Sequence, residues 1–187
     1  MIKKETKKRT LKQRGLGLVI LLLGTSLLVI IDQIAKIIVQ KQLMGQGAVI
    51  IIPKVLQLNY LENRGAAFGI LQDSRTFFLI ITIIVAGVAL FITWKLLVDS
   101  KFNLLVLNLT IFLAGAFGNF IDRLVHHYVI DFFELKFVDF PVFNVADIYV
   151  TLSFVFFLIL LFVVYKEDDF NGLLKKTNVL ENKENKE

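Results

Sequence analysis

The 187-residue chain has no cysteine and only two prolines. Without a thiol there is no disulfide, no thiolate metal site and no cysteine nucleophile. The chain also lacks any Cys of its own that could be lipidated. Catalytic signatures built on other nucleophiles or metals are missing too. No H-E-x-x-H segment, G-x-S-x-G turn, phosphate-binding loop or dinucleotide fingerprint occurs. The two histidines, His126 and His127, are adjacent, so their side chains diverge and no third ligand is evident; no metal and no cofactor is expected.

Charge is scarce as well, but only in places. The chain is 56% hydrophobic with a mean hydropathy of +0.71, too apolar for an ordinary water-soluble domain. Four runs contain no charged residue: Gly15–Ile31, Thr76–Trp94, Phe102–Ile121 and Ile148–Tyr165. Each reaches the roughly 17–25 residues a helix needs to cross the hydrocarbon core. Lipid cannot hydrogen-bond a bare backbone, so each run is expected to be helical. The expected architecture is a single all-α membrane domain, 1–187, a bundle of four transmembrane helices. The spans fall at about 16–38, 76–95, 102–123 and 148–166, with a small extracytoplasmic β-containing region. The first run resembles a signal-peptide core but is long for one, and no A-x-A cleavage site follows it.

The net charge of +5 is concentrated at one end. Lys3, Lys4, Lys7, Lys8, Arg9, Lys12 and Arg14 stand against Glu5 alone. We read this excess as a topology signal, with 1–14 as a basic cytoplasmic tail, and not as a nucleic-acid surface. Four crossings return the C-terminus to the cytoplasm, with 167–187 as a mixed-charge, partly disordered polar tail. Two loops, Asp32–Arg75 and Asp122–Asp147, are then left on the outer side. The β-branched stretch between Gly47 and Pro53 and the alternation in VLQLNYLEN suggest short strands in the first loop.

On this topology the polar groups converge. Asp32 and Lys36 lie at the outer end of the first span and can pair at i, i+4. Asn63 and Arg64 fall in the first outer loop. Gly115, Asn119, Asp122 and Arg123 share a face of the third helix. Asp131 and Glu134 follow in the second loop, and Asn144 and Asp147 precede the fourth span. Ionisable residues at membrane depth cost roughly 2.5–3.5 kcal/mol each on insertion scales, so several at one face mark a functional site. Plainer readings exist for each: Asp147 as a helix N-cap, Asp32–Lys36 as a structural pair, Asp122–Arg123 as interfacial charges, GAAFG as close packing. By elimination the available chemistry is that of carboxylates. A proton shared between two of them equips one to activate water and the other to protonate a leaving amine.

IDQIAKIIV, NRGAAFGI, GNFIDRL followed by VIDFFEL, and FPVFNVAD occur in this order and spacing. Together they resemble the signature segments of the lipoprotein signal peptidases, or signal peptidase II, over about Ile31 to Ile148. The resemblance implies a bacterial membrane aspartic endopeptidase with Asp131 and Asp147 as the catalytic pair. It implies site-supporting or substrate-binding roles for Asn63, Gly65, Ala67, Phe68, Asn119, Asp122, Arg123 and Asn144, with Asp32 and Lys36 as a structural pair. Its substrate is a prolipoprotein, cut just before a Cys that carries a diacylglyceryl group. The expected setting is the bacterial cytoplasmic membrane, with both termini cytoplasmic and the site near the outer face. The expected partners are this substrate and membrane lipid, to a monomeric enzyme. One departure is visible: many members have Ser after the second Asp, and here Ile148 follows. The alternatives from the residues are a proton-coupled transporter or channel component, which expects carboxylates spread through the membrane depth, and a scaffold binding a partner with its outer loops.

Overall fold

The computed structural model describes residues 9–65 and 70–173. Four helices dominate: α1 (Leu11–Leu43), α2 (Arg75–Leu96), α3 (Asn103–Val125) and α4 (Val145–Ile159), the last continued by a π-helical turn, Leu160–Val164. All four are long and apolar enough to cross a membrane. They leave large side chains such as Leu23, Ile83 and Phe154 exposed around the outside, the pattern of a lipid-facing surface.

Helix α1 begins inside the stretch read as a basic tail and runs five residues past position 38. Its start is set by a capping box: Thr10 accepts from the Gln13 backbone N–H, while the Gln13 side chain accepts from Thr10 N–H. Three strands, β1 (Val49–Ile52), β2 (Leu56–Asn63) and β3 (Val129–Leu135), form an antiparallel sheet in the order β1-β2-β3. The first loop was expected to hold strands; β3 was not foreseen. VIDFFEL lacks visible alternation because Val129 to Phe132 are all buried, so neither face of the strand reads as polar.

Helix α3 is the central element, with α1, α2 and α4 all packed on it. Small residues permit the close approach. A Cβ added at Gly115 would meet the Ala146 carbonyl oxygen at 2.5 Å and the Val150 side chain at 2.7 Å. A Cβ at Gly118 would meet Asp32 Oδ2 at 2.6 Å. At the end of the bundle away from the sheet, Leu96, Val98, Phe102, Leu105, Leu160, Tyr165 and Leu173 form an apolar cluster. Tyr165 stacks on Phe102 and donates its hydroxyl proton to Lys101 O at 3.0 Å. Residues 167–173, expected as part of a polar tail, are helical, and Phe170 and Leu173 pack into this cluster. Their two apolar side chains lie among charges in KEDDFNGLL, which hid the short amphipathic turn.

Candidate active site

Strands β2 and β3, the sheet-side ends of α3 and α4 and the segment before α4 meet around a cavity of about 600 Å³. Its lining combines the polar Asn63, Asn119, Arg123, Asp131 and Asp147 with apolar side chains including Val129, Leu135, Phe140 and Phe143. The two aspartates arrive by different routes. Asp131 sits in the middle of β3, opposite Leu61 of β2 and next to a bulge between Leu58 and Leu61. Asp147 is in the first turn of α4, where its charge suits the helix dipole. It is not the N-cap. Asn144 is, and its side chain accepts from Asp147 N–H at 3.0 Å while Asp147 Oδ2 accepts from Asn144 N–H at 3.0 Å.

Asn144 also joins the two carboxylates. Its Nδ2 donates to Asp131 Oδ1 at 2.6 Å and to Asn119 Oδ1 at 3.1 Å. Asn119 Nδ2 in turn donates to Asp147 Oδ1 at 2.8 Å. The segment before α4 is held against the strand by Phe143, which exchanges backbone hydrogen bonds with Phe133 at 2.7 and 3.1 Å. That pairing carries Asn144 to the side of Asp131. Asn63 Nδ2 donates to Asp131 Oδ2 at 2.8 Å, and Asn63 Oδ1 accepts from Gly65 N–H at 3.0 Å. The burial of Asp131, and secondarily the charge of Asp147, push the Asp131 carboxyl up to about 7. The hydrogen bonds from Asn63 and Asn144 and the charge of Lys36 oppose that rise. Such a carboxyl can hold or release a proton near neutrality, as acid–base chemistry requires.

Beneath the pair lies a second polar layer. Lys36 Nζ is 2.9 Å from Asp32 Oδ2, 2.9 Å from Asp122 Oδ2 and 3.0 Å from Asn119 Oδ1. Asp32 Oδ1 accepts from Ala146 N–H at 2.8 Å, tying α1 to the start of α4. Asp122 Oδ2 accepts from Ile130 N–H at 3.0 Å, tying α3 to β3 beside Asp131. Asp122 was grouped with the surface-reaching charges in one reading, but it is buried, and its spacing from Asp32 in sequence concealed the shared lysine. Arg123 turns away from this layer. Its guanidinium donates to Gly65 O at 3.1 Å and lies 4.3 Å from the Phe78 ring centre. Gly65 is tight: a Cβ there would meet Ile70 O at 2.7 Å. Ala67 and Phe68 lie outside the described residues.

Two contributors escaped the sequence reading. Gln33 Nε2 donates to Asp122 Oδ1 at 2.8 Å and Gly118 O at 3.2 Å, clamping α1 to α3. Its place between Asp32 and Lys36 was the available clue. Arg75 Nε and Nη2 donate to the carbonyls of Arg123 and Leu124 at 2.7 and 3.0 Å, capping α3 with the first residue of α2. No local pattern announces that contact. His126 stacks on Tyr128 with centroids 5.8 Å apart.

This arrangement has counterparts. The family model described as signal peptidase II (SPase II) matches residues 25–163. A lipoprotein signal peptidase of Streptococcus pneumoniae is 39% identical over 162 residues, covering 87% of this chain and 99% of the relative. One from Streptococcus pyogenes is 41% identical over 151 residues, covering 80% and 95%. A solved structure described as a bacterial membrane enzyme superposes with a TM-score of 0.68 at 30% identity, covering 85% of this chain and 98% of that one. With four bilayer-length helices and a match over most of its length, the chain belongs to the signal peptidase II (lipoprotein signal peptidase) family, as a multi-pass membrane peptidase.

Proposed function

We propose that this protein is an aspartic endopeptidase that removes signal peptides from prolipoproteins, cleaving before a diacylglyceryl-modified Cys, with Asp131 and Asp147 as the catalytic pair. The observation that supports it is that both carboxylates face one cavity and are joined through Asn144 and Asn119. Two neighbouring carboxylates do not ionise together cheaply, so the pair retains one proton near neutrality. The ionised member takes a proton from water as that water attacks the scissile carbonyl. The protonated member polarises the carbonyl and then gives its proton to the leaving amine. The proton belongs to the pair, so neither role is assigned to one residue. The reaction requires no cofactor.

The cavity suits this substrate: its polar lining presents the carboxylates to a peptide, and its apolar lining offers a surface to lipid-bearing residues. Arg123 and Asn63 stand at the rim as groups to meet substrate carbonyls once their present partners, Gly65 O and Asp131, yield. Ala67 and Phe68 follow Gly65 closely in sequence and are proposed to help bind substrate. The excess of basic residues in the N-terminal segment supports an orientation with both termini in the cytoplasm and the sheet with its cavity at the outer face of the bacterial cytoplasmic membrane. There the enzyme acts as a monomer surrounded by lipid. A proton-coupled transporter is the weaker reading, because Asp32, Asp122, Asp131 and Asp147 gather at the sheet-side end of the bundle, the last two on one cavity.

The decisive experiment is cleavage of a diacylglyceryl-modified precursor in membranes by the wild type, Asp131→Asn and Asp147→Asn. Loss of cleavage in both variants at wild-type abundance is expected. Wild-type cutting by either would remove that aspartate from the mechanism. Equal cutting of lipidated and unlipidated precursor would remove the lipid from the recognised substrate.

A further inference from the structure

Lys36 of α1 is 1% exposed, and its ammonium reaches α3. An ammonium has three N–H donors and no acceptor. All three have partners here: Asp32 Oδ2 at 2.9 Å, Asp122 Oδ2 at 2.9 Å and Asn119 Oδ1 at 3.0 Å. Only the first follows from i, i+4 spacing. The two carboxylates alone suffice as counter-ions, so the third contact, to a neutral amide, is the informative one.

Because Lys36 only donates, the Asn119 atom that faces it has to be the amide oxygen. The amide nitrogen is thereby turned toward the cavity, where it donates to Asp147 Oδ1 at 2.8 Å. A half-turn of this amide would set oxygen against the Asp147 carboxylate and nitrogen against the ammonium, repulsive at both ends. Asn144 Nδ2 also donates to Asn119 Oδ1, but at 3.1 Å and while engaged with Asp131. Lys36 does not line the cavity, so substrate bound there does not touch it.

We propose that Lys36 is a positioning residue for the aspartate pair: by holding the oxygen of Asn119 it fixes the amide that donates to Asp147, beyond its role as partner of Asp32. The proposal rests on the reading of Asp131 and Asp147 as the catalytic pair.

Removing Lys36 alone leaves two buried carboxylates without a cation, which threatens the fold. The test therefore starts from Asp122→Asn and adds Lys36→Met. The charge of Asp32 persists in this double variant, and Asp32 keeps its hydrogen bonds from Ala146 N–H and Gln33 Nε2. Both variants are purified full length, and cleavage is measured per folded molecule alongside Tm. The double variant is expected to have kcat at least about tenfold below Asp122→Asn at similar KM, since misplacing a reacting group by about 1 Å can cost about a hundredfold. Equal kcat in the two would overturn the proposal and leave Lys36 a counter-ion.

Should the double variant not fold, Lys36→Gln decides, because it keeps an N–H donor without the charge. Lowered Tm with kcat per folded molecule within about threefold of wild type supports positioning by the donor, as one neutral hydrogen bond can replace another. A larger kcat loss there overturns it. Asp131→Asn and Asp147→Asn assayed in parallel separate the two levels: turnover surviving in those variants removes the catalytic pair itself, whatever Lys36 does.

Discussion

The two ends of the bundle are held together by different forces. Away from the sheet, the helices close on an apolar cluster in which Phe102 stacks on Tyr165 with ring centroids 5.2 Å apart. That packing tolerates exchange of one apolar side chain for another of similar volume. Beside the sheet, the same helices bury Asp32, Lys36, Asp122, Asp131 and Asn144 and hold them with directed hydrogen bonds. Buried charges of this kind seldom add net stability over apolar packing, yet removing one partner is expensive. Arg14 and Asp99 are buried toward the other end as well, but the sheet-side end sets Asp131 and Asp147 on a cavity, which is why chemistry is expected there.

Substitutions on the two ends sharpen that contrast. The largest effect is expected at the carboxylates: Asp131→Asn and Asp147→Asn each lose about 10²–10⁴-fold in kcat/KM, the usual worth of a general acid or base, with abundance retained. Next comes the seam that joins the ends. Gly115→Ala pushes a methyl group into the Ala146 carbonyl and Val150, displacing the start of α4 and with it Asp147. It should lower Tm, with an overpacking cost of about 1–3 kcal/mol, and reduce turnover per folded molecule. A variant with unchanged turnover would show that α4 is not positioned by this contact.

A pH series gives a smaller but signed effect. The Asp131 carboxyl is pushed up to about 7 in the fold from an ordinary 3.8. Between those values the folded chain binds more proton than the unfolded one, so stability from this group is present at low pH and lost as pH rises through about 7. Wild-type Tm should therefore fall across that window more steeply than the Tm of Asp131→Asn. Turnover should decline above about 7 as the pair loses its shared proton. Parallel Tm curves for the two proteins would contradict the burial assigned to Asp131. The smallest effect is expected at the apolar end: Tyr165→Phe removes the hydroxyl bond to Lys101 O and costs about 1 kcal/mol in a thermal melt, with cleavage unchanged.

Much of this was readable from the chain alone. Charge-free runs of bilayer length announce four helices because lipid penalises both charges and unpaired backbone, and both penalties are written in local composition. The segments IDQIAKIIV, NRGAAFGI, GNFIDRL, VIDFFEL and FPVFNVAD likewise pointed to the family and supplied the residues proposed for its site, since each segment is short and contiguous. The tertiary structure decided how those residues meet. That Lys36 is shared by Asp32, Asp122 and Asn119, that Asn144 rather than Asp147 caps α4, and that Arg75 closes α3 depend on contacts across many residues of chain. Hydrogen bonds are directional and act over about 3 Å, so which donor meets which acceptor is set only once helices and sheet have packed.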